Sequence, residues 1–208
     1  MGSAGHRRRT HGQSPRVLTA APQAVPYTAE GWGVGELWFE GARLVWHELP
    51  RAHTGTRARA RATPTQSKGG VKHPPPSRST IPAKLGRMGN GTARKVENLV
   101  HRLEAYFAGE RVSFDDVELE VDGWTPFQLD VVRALRCVPY SEVVSYGDLA
   151  RLAGHPRAQR AAGTFCARNR FAIVVPCHRV VAADGLGSYG SLGPEYKQRL
   201  LALEGVSL

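Results

Sequence analysis

The chain has 208 residues, 41% of them hydrophobic, enough for one full domain or two small ones around a buried core, which excludes a bare peptide or short toxin. A formal net charge of +10 favours a polyanionic partner and says nothing about fold. Three cysteines, at 137, 166 and 177, form no CxxC pair, so neither a disulfide framework nor a structural metal site is expected. No apolar run approaches the roughly 18 residues of a membrane span. The basic start His6-Arg7-Arg8-Arg9 leads into no apolar signal core. The expectation is a soluble intracellular protein, cytoplasmic or nuclear, with no membrane partner.

The charge is unevenly placed. Residues 51–95 carry eleven Lys or Arg and no acid, whereas residues 96–208 carry twelve against fourteen acids. The middle stretch is also rich in Pro, Gly, Ser and Thr and poor in large apolar residues, so it cannot bury enough surface to offset its ordering entropy. The expected division is a disordered tail over 1–16, part of an N-terminal sheet domain over 17–50 and a disordered basic insertion or linker over 51–91. The end of the N-terminal domain with a connecting helix follows over 92–121, and a C-terminal domain over 122–208.

In chain order, Gly33–Phe39 and Ala42–Leu49 read as two strands joined across Glu40-Gly41, with Leu37, Phe39, Leu44 and Trp46 as candidate core. Thr92 can cap a helix whose Val96, Leu99, Val100, Leu103 and Phe107 recur at helical spacing up to Gly109. Val112–Val121 alternates as a strand would. Thr125-Pro126-Phe127-Gln128 is a capping box with Pro at the first helical position, and Phe127, Val131, Leu135 and Val138 continue its apolar stripe to Pro139, with Cys137 expected buried. Ser145 can cap a short helix through Asp148, running from Tyr146 to Ala153 and stopped by Gly154-His155-Pro156. A further helix, about Arg157 to Ala167, follows across that tight turn, which makes a helix-turn-helix pattern.

That second helix bears Arg157 and Arg160, with Arg168 just beyond it, and an unusual density of small residues, Ala161, Ala162 and Gly163 among them. Small residues permit close helix packing; they also permit close approach to a nucleic-acid groove. Residues 151–179 hold six Arg and no Asp or Glu inside an otherwise acidic region, which tips the reading toward nucleic acid.

After Asn169, Ala172-Ile173-Val174-Val175 reads as a buried strand entering Pro176-Cys177-His178-Arg179-Val180. A cysteine in an apolar run is most often a small core residue. Here the adjacent His178 and Arg179 would lower its pKa, and the thiolate is the nucleophilic form. Cys137 and Cys166 lack such company, and Cys166 is given no role beyond partial exposure. A reactive thiol shortly after an Arg-bearing helix-turn-helix suggests covalent chemistry on nucleic acid.

Pro176-Cys177-His178-Arg179-Val180, with Ser145-Tyr146-Gly147-Asp148-Leu149-Ala150, Arg160, Asn169 and Leu201-Ala202-Leu203-Glu204-Gly205, resembles the C-terminal domain of the O6-alkylguanine-DNA alkyltransferases over about residues 92–208. The resemblance implies an α/β protein with a small N-terminal β-sheet domain. Its C-terminal domain would be mostly helical, with a winged-helix-like helix-turn-helix. It also implies a monomeric, cofactor-free suicide enzyme acting on double-stranded DNA that contains O6-alkylguanine. By that resemblance Arg160 fills the gap left by a flipped base, with Arg157, Ala161, Gly163 and Arg168 at the DNA. Tyr146 crowds the phosphate and donates to N3 of the base, and Cys177 attacks the alkyl carbon. His178 withdraws the thiol proton through a water, Glu204 orients His178, and Asn169 braces the turn. Ala172, Val180, Tyr189 and Gly190 line the guanine pocket, and Arg179 braces the loop.

The sequence departs from the family at Tyr189-Gly190-Ser191-Leu192 over the pocket, at Phe171-Ala172 where a Pro is frequent and at Val132 where Trp is usual. It also lacks the N-terminal cysteines with which some relatives bind zinc. The alternatives are a helix-turn-helix regulator or lesion-sensing protein with an inert Cys177, and a thiol enzyme acting on a small molecule. The first is separated by whether Cys177 gains an alkyl group, the second by whether DNA is required.

Overall fold

The computed structural model describes residues 21–52 and 88–208; the expected tail over 1–16 and residues 53–87 of the basic stretch lie outside the described residues. An antiparallel sheet comes first, in the order β1 (Gln23–Ala29), β2 (Gly33–Glu40), β3 (Arg43–Arg51). Gly41, at φ +60°, supplies the left-handed residue that so tight a β2–β3 hairpin needs. The alternation of the chain marks β2 and β3 but not β1, which is interrupted by Pro26. That proline sits on an edge strand, where a missing N–H breaks no inner ladder.

Val25, Tyr27, Leu37, Phe39 and Leu44 form the buried face, which meets α1 (Asn90–Phe107) through Val96, Leu99, Leu103 and Phe107. Trp46, expected in this core, is only half-buried. The register shifts between Trp38 and Phe39, so Trp46 lies opposite Trp38 while Leu44 lies opposite Phe39. That bulge turns Trp46 away from the core. α1 also begins earlier than expected, with Gly89 at its N-cap and no side-chain cap; Thr92 is already inside the helix. Residues 112–121 do not form the expected strand. They run irregularly, touching the sheet by a bridge between Leu119 and Leu44, and are strapped instead by Arg102 on Asp116 and by Arg136 on the Asp115 and Val117 carbonyls.

The C-terminal half contains α2 (Pro126–Arg136), β4 (Val144–Ser145), α3 (Tyr146–Leu152), α4 (Gln159–Ala167), β5 (Val180–Val181) and α5 (Gly193–Leu203). Both expected capping boxes form: the Thr125 hydroxyl accepts from Gln128 N at 3.3 Å and that of Ser145 from Asp148 N at 3.0 Å. α4 starts two residues later than Arg157. Cys137, expected buried, is exposed: it is the C-cap of α2 and faces away from buried Leu135 and Val138. β4 and β5 pair in parallel, Val144 with Val180 and Ser145 with Val181, which fixes the first residue of α3, Tyr146, beside the segment that follows Cys177. No described helix is long and apolar enough to cross a membrane.

Candidate active site

The approach to Cys177 is not the strand that its apolar composition suggests. Residues 172–175 form a run of turns. Val174 N donates to Ala172 O at 2.9 Å across Ile173, whose φ is +69°; this is the γ-turn of the rarer, strained hand. Cys177 N donates to Val175 O at 2.8 Å across Pro176, at φ −79° and ψ 63°, a second γ-turn of the common hand. Asn169 clamps the loop from inside. Its amide donates to Val175 O at 2.7 Å and to Cys177 Sγ at 3.0 Å, and its carbonyl oxygen accepts from Phe171 N at 3.0 Å. Apolar side chains point inward throughout, which is why the stretch mimics a buried strand in sequence.

Cys177 opens a single 3-10 turn, Cys177–Arg179, and is 5% exposed. The next residue, His178, is fully buried, as is Glu204 just past α5. His178 Nε2 lies 2.8 Å from Glu204 Oε1, and Tyr106 donates its hydroxyl to the same oxygen at 2.8 Å. Arg179 grips the carboxylate with both forks, Nε to Oε2 and Nη2 to Oε1, each at 2.9 Å, while Nη1 reaches Val138 O at 2.7 Å. Burial alone would raise the Glu204 carboxyl, but the bonds from His178 and Arg179 outweigh it and hold the group down at about 2.

An ionised Glu204 accepts only, so the proton on His178 sits on Nε2 and Nδ1 carries the lone pair. Nδ1 is buried and has no hydrogen-bond partner among the described residues. Burial lowers the His178 pKa, partly offset by Glu204, so the ring is a neutral base.

The expectation that neighbouring cations acidify Cys177 does not hold. Burial pushes the thiol up, and the bond from Asn169 and the charge of Lys197 only partly counter it. The reason is geometric: the Arg179 guanidinium is spent on Glu204 and Val138. The resting nucleophile is therefore a thiol that needs a base.

Cys177 borders a cavity of about 530 Å³ together with Asn169, Ala172, Tyr189, Gly190 and, from the other half of the chain, Trp46, His47 and Glu48. Val180, expected beside them, does not line this cavity; its carbonyl accepts from the buried Lys197 ammonium, as does Leu186 O at 2.6 Å. Burial raises the Tyr146 hydroxyl pKa, which keeps it a proton donor. Cys166 is half-buried and lines the same cavity, its thiol raised by burial.

Sequence reasoning missed Tyr106, Lys197 and His47. Lys197 did carry a signal: with Leu200, Leu201 and Glu204 it forms a helical i, i+3, i+4, i+7 stripe whose polar members have no place on a solvent face.

Arg157, Arg160, Ala161 and Arg168 are all exposed along α4 and its flanks, with Gly163 partly so. Arg160 has no ion-pair partner among the described residues. Gly163 packs on α3: a Cβ there would stand 3.7 Å from the Tyr146 ring.

The family model for the DNA-binding domain of 6-O-methylguanine DNA methyltransferase matches residues 126–206. A methylated-DNA–protein-cysteine methyltransferase of Methanopyrus kandleri is 47% identical over 113 residues, covering 54% of this chain and 82% of that protein. The chain belongs to the methylated-DNA–protein-cysteine methyltransferase family. The family member of Methanosarcina acetivorans is 51% identical over 105 residues, 50% of this chain and 65% of its own length; the chain thus spans just under two thirds of that relative. A crystal structure of Mycobacterium tuberculosis OGT in complex with DNA matches with a TM-score of 0.60 at 34% identity, covering 89% of this chain and 93% of that one. The family's small sheet domain followed by a helical domain is the arrangement found here.

Proposed function

We propose that this protein repairs duplex DNA by moving an alkyl group from O6 of guanine onto Cys177, irreversibly and once per molecule. The observation that carries the reading is a buried thiol at the edge of a cavity, next in sequence to a neutral imidazole whose Nδ1 lacks a partner among the described residues while its Nε2 is held by an ionised Glu204. That is a base waiting for a proton, next to a nucleophile that has one to give.

The DNA would meet the Arg160 face of α4 at the minor groove. The alkylated guanine leaves the stack, because its O6 substituent cannot otherwise reach Sγ, and Arg160 occupies the space. The thiol proton passes to His178 Nδ1 through a bridging water as sulfur attacks the alkyl carbon. The S–C bond forms while the C–O6 bond breaks, and the electron pair of that bond stays on the guanine. Tyr146 donates a proton at N3 and is refilled by the one that His178 has taken. Once the N3 proton is exchanged through solvent for one on N1, the product is unmodified guanine and a thioether. A thioether has no easy hydrolysis, so the protein is consumed. The displacement moves no net electrons and needs no cofactor, and a monomer suffices.

Cys177→Ala tests this. With duplex carrying O6-methylguanine, the wild-type protein is expected to restore guanine in amounts equal to the protein added, read by nucleoside analysis. The variant should bind the duplex and restore none. Restoration by the variant, or many turnovers by the wild type, would overturn the proposal.

A further inference from the structure

From the N-terminal sheet, β3 reaches into the approach to Cys177. His47 is 4% exposed and is held from three directions at once. Its backbone N donates to Arg170 O at 2.8 Å, Nδ1 lies 2.6 Å from Ala172 O, and Nε2 lies 2.6 Å from the Tyr27 hydroxyl. A carbonyl only accepts, so Nδ1 carries the proton, Nε2 carries the lone pair, and Tyr27 donates to it. Burial lowers the His47 pKa to about 4, in keeping with a neutral ring fixed in this tautomer.

Ala172 O is also the acceptor of the γ-turn over Ile173. A β-branched residue at φ +69° is strained, and such a conformation persists only where its surroundings over-determine it. Asn169 braces the turn from the Cys177 side. His47 does so from β3, at a residue 125 positions away in sequence from Ala172.

We infer that His47 is a positioning residue for alkyl transfer: by donating to Ala172 O it holds the strained turn that sets the Cys177 sulfur in the cavity, with Tyr27 fixing its tautomer. The N-terminal sheet thereby takes part in the chemistry through the backbone of the loop before Cys177.

This rests on the repair reading, and the test separates the two. His47→Ala, His47→Asn and His47→Gln are compared with the full-length wild type for single-turnover methyl transfer from O6-methylguanine duplex, affinity for unmodified duplex, and alkylation of Cys177 by iodoacetamide without DNA. Asn places its amide N–H where Nδ1 stood; Gln places it near Nε2. His47→Ala is expected to slow transfer by about 100-fold, the scale of a roughly 1 Å misplacement, with duplex affinity unchanged and iodoacetamide reaching the loosened thiol faster. His47→Asn should recover transfer to within roughly tenfold of wild type and His47→Gln should not.

Wild-type transfer in folded His47→Ala would overturn the inference. So would equal recovery by Asn and Gln, which would make His47 a space-filler. If His47→Ala fails to fold, the Asn and Gln pair decides. If the wild type transfers nothing, the repair reading falls, and the iodoacetamide comparison still decides whether His47 holds Cys177.

Discussion

Cys177 rests as a thiol, and that shapes the pH dependence of the site. Its pKa is raised by burial, so no thiolate accumulates as pH climbs through neutrality, and the rate follows the base instead. The His178 pKa lies below its usual 6.5. Transfer is therefore expected to be flat across neutral pH and to fall only on the acid side, below 6.5; a single-turnover pH series with a midpoint above 7 would contradict this. Stability follows the same sign. Folding disfavours protonated His178 and protonated Glu204, so the unfolded chain binds more protons in acid and stability drops. The Glu204 part of that loss spans pH 4.5 down to about 2 and is measurable as a falling Tm.

Glu204→Gln should slow transfer by about 100-fold, the scale of a general base's contribution. It should also destabilise by roughly 3 kcal/mol, because Arg179 keeps its buried charge and loses its carboxylate. Unchanged transfer and unfolding curves would refute both. Cys177 and His178 stood out in the sequence by type and spacing, whereas Asn169 and Glu204 stood out only through the family resemblance. Tyr106 and His47 did not, because each acts across the fold on a partner far away in the chain, and spacing carries no trace of that; Lys197 left a trace only in its helical spacing with Leu200, Leu201 and Glu204.

At the level of elements, local chemistry was the reliable guide. The boxes at Thr125 and Ser145 formed because the donor and acceptor lie three residues apart and need nothing else. Thr125→Ala should cost about 1 kcal/mol, lowering Tm by about 2–4 °C. The elements misread were those decided by tertiary partners. Residues 112–121 alternate like a strand but are held by arginines, and residues 172–175 look like a buried strand but turn twice under His47 and Asn169.

On α4, Gly163→Ala meets Tyr146 only at ordinary van der Waals distance. It should therefore stabilise the helix by about 0.5–1 kcal/mol; if α4 presents the proposed DNA face, the added methyl is expected to weaken binding, and stronger binding would argue that α4 is not that face. Arg160→Ala should impair base extrusion, read by a fluorescent base analogue at the lesion, more than duplex affinity. Equal impairment of both would reduce Arg160 to an electrostatic role.

Over the whole molecule, the two halves are stitched at several points. His47 joins the loop before Cys177, Tyr196 donates to Pro50 O at 2.9 Å, and Arg199 donates to Gly31 O at 2.7 Å while its guanidinium lies 3.6 Å over the Trp32 ring. On the proposed reading, a transfer site that borrows a wall and a brace from the sheet should respond to changes in that sheet even though the DNA would meet α3 and α4.

The basic stretch contributes differently. Replacing Arg57, Arg59 and Arg61 by Ser should leave the transfer rate at saturating DNA unchanged. The salt slope of binding should fall by up to about 2.7, near 0.9 for each phosphate that is no longer neutralised, and an unchanged slope would make the stretch a plain tether. Patterning was enough to place a sheet before a helical half; the stitching between them was invisible, since no local pattern encodes which distant carbonyl a histidine will find.

The most direct measurement is the intact mass of the protein after mixing with duplex DNA containing O6-methylguanine, beside unmodified duplex, followed by peptide mapping. One added methyl group per molecule, on the peptide that holds Cys177 and absent from the control, is the expected result. Lesion DNA that binds well yet leaves the mass of the protein unchanged would contradict alkyl transfer and leave a lesion-sensing protein in its place.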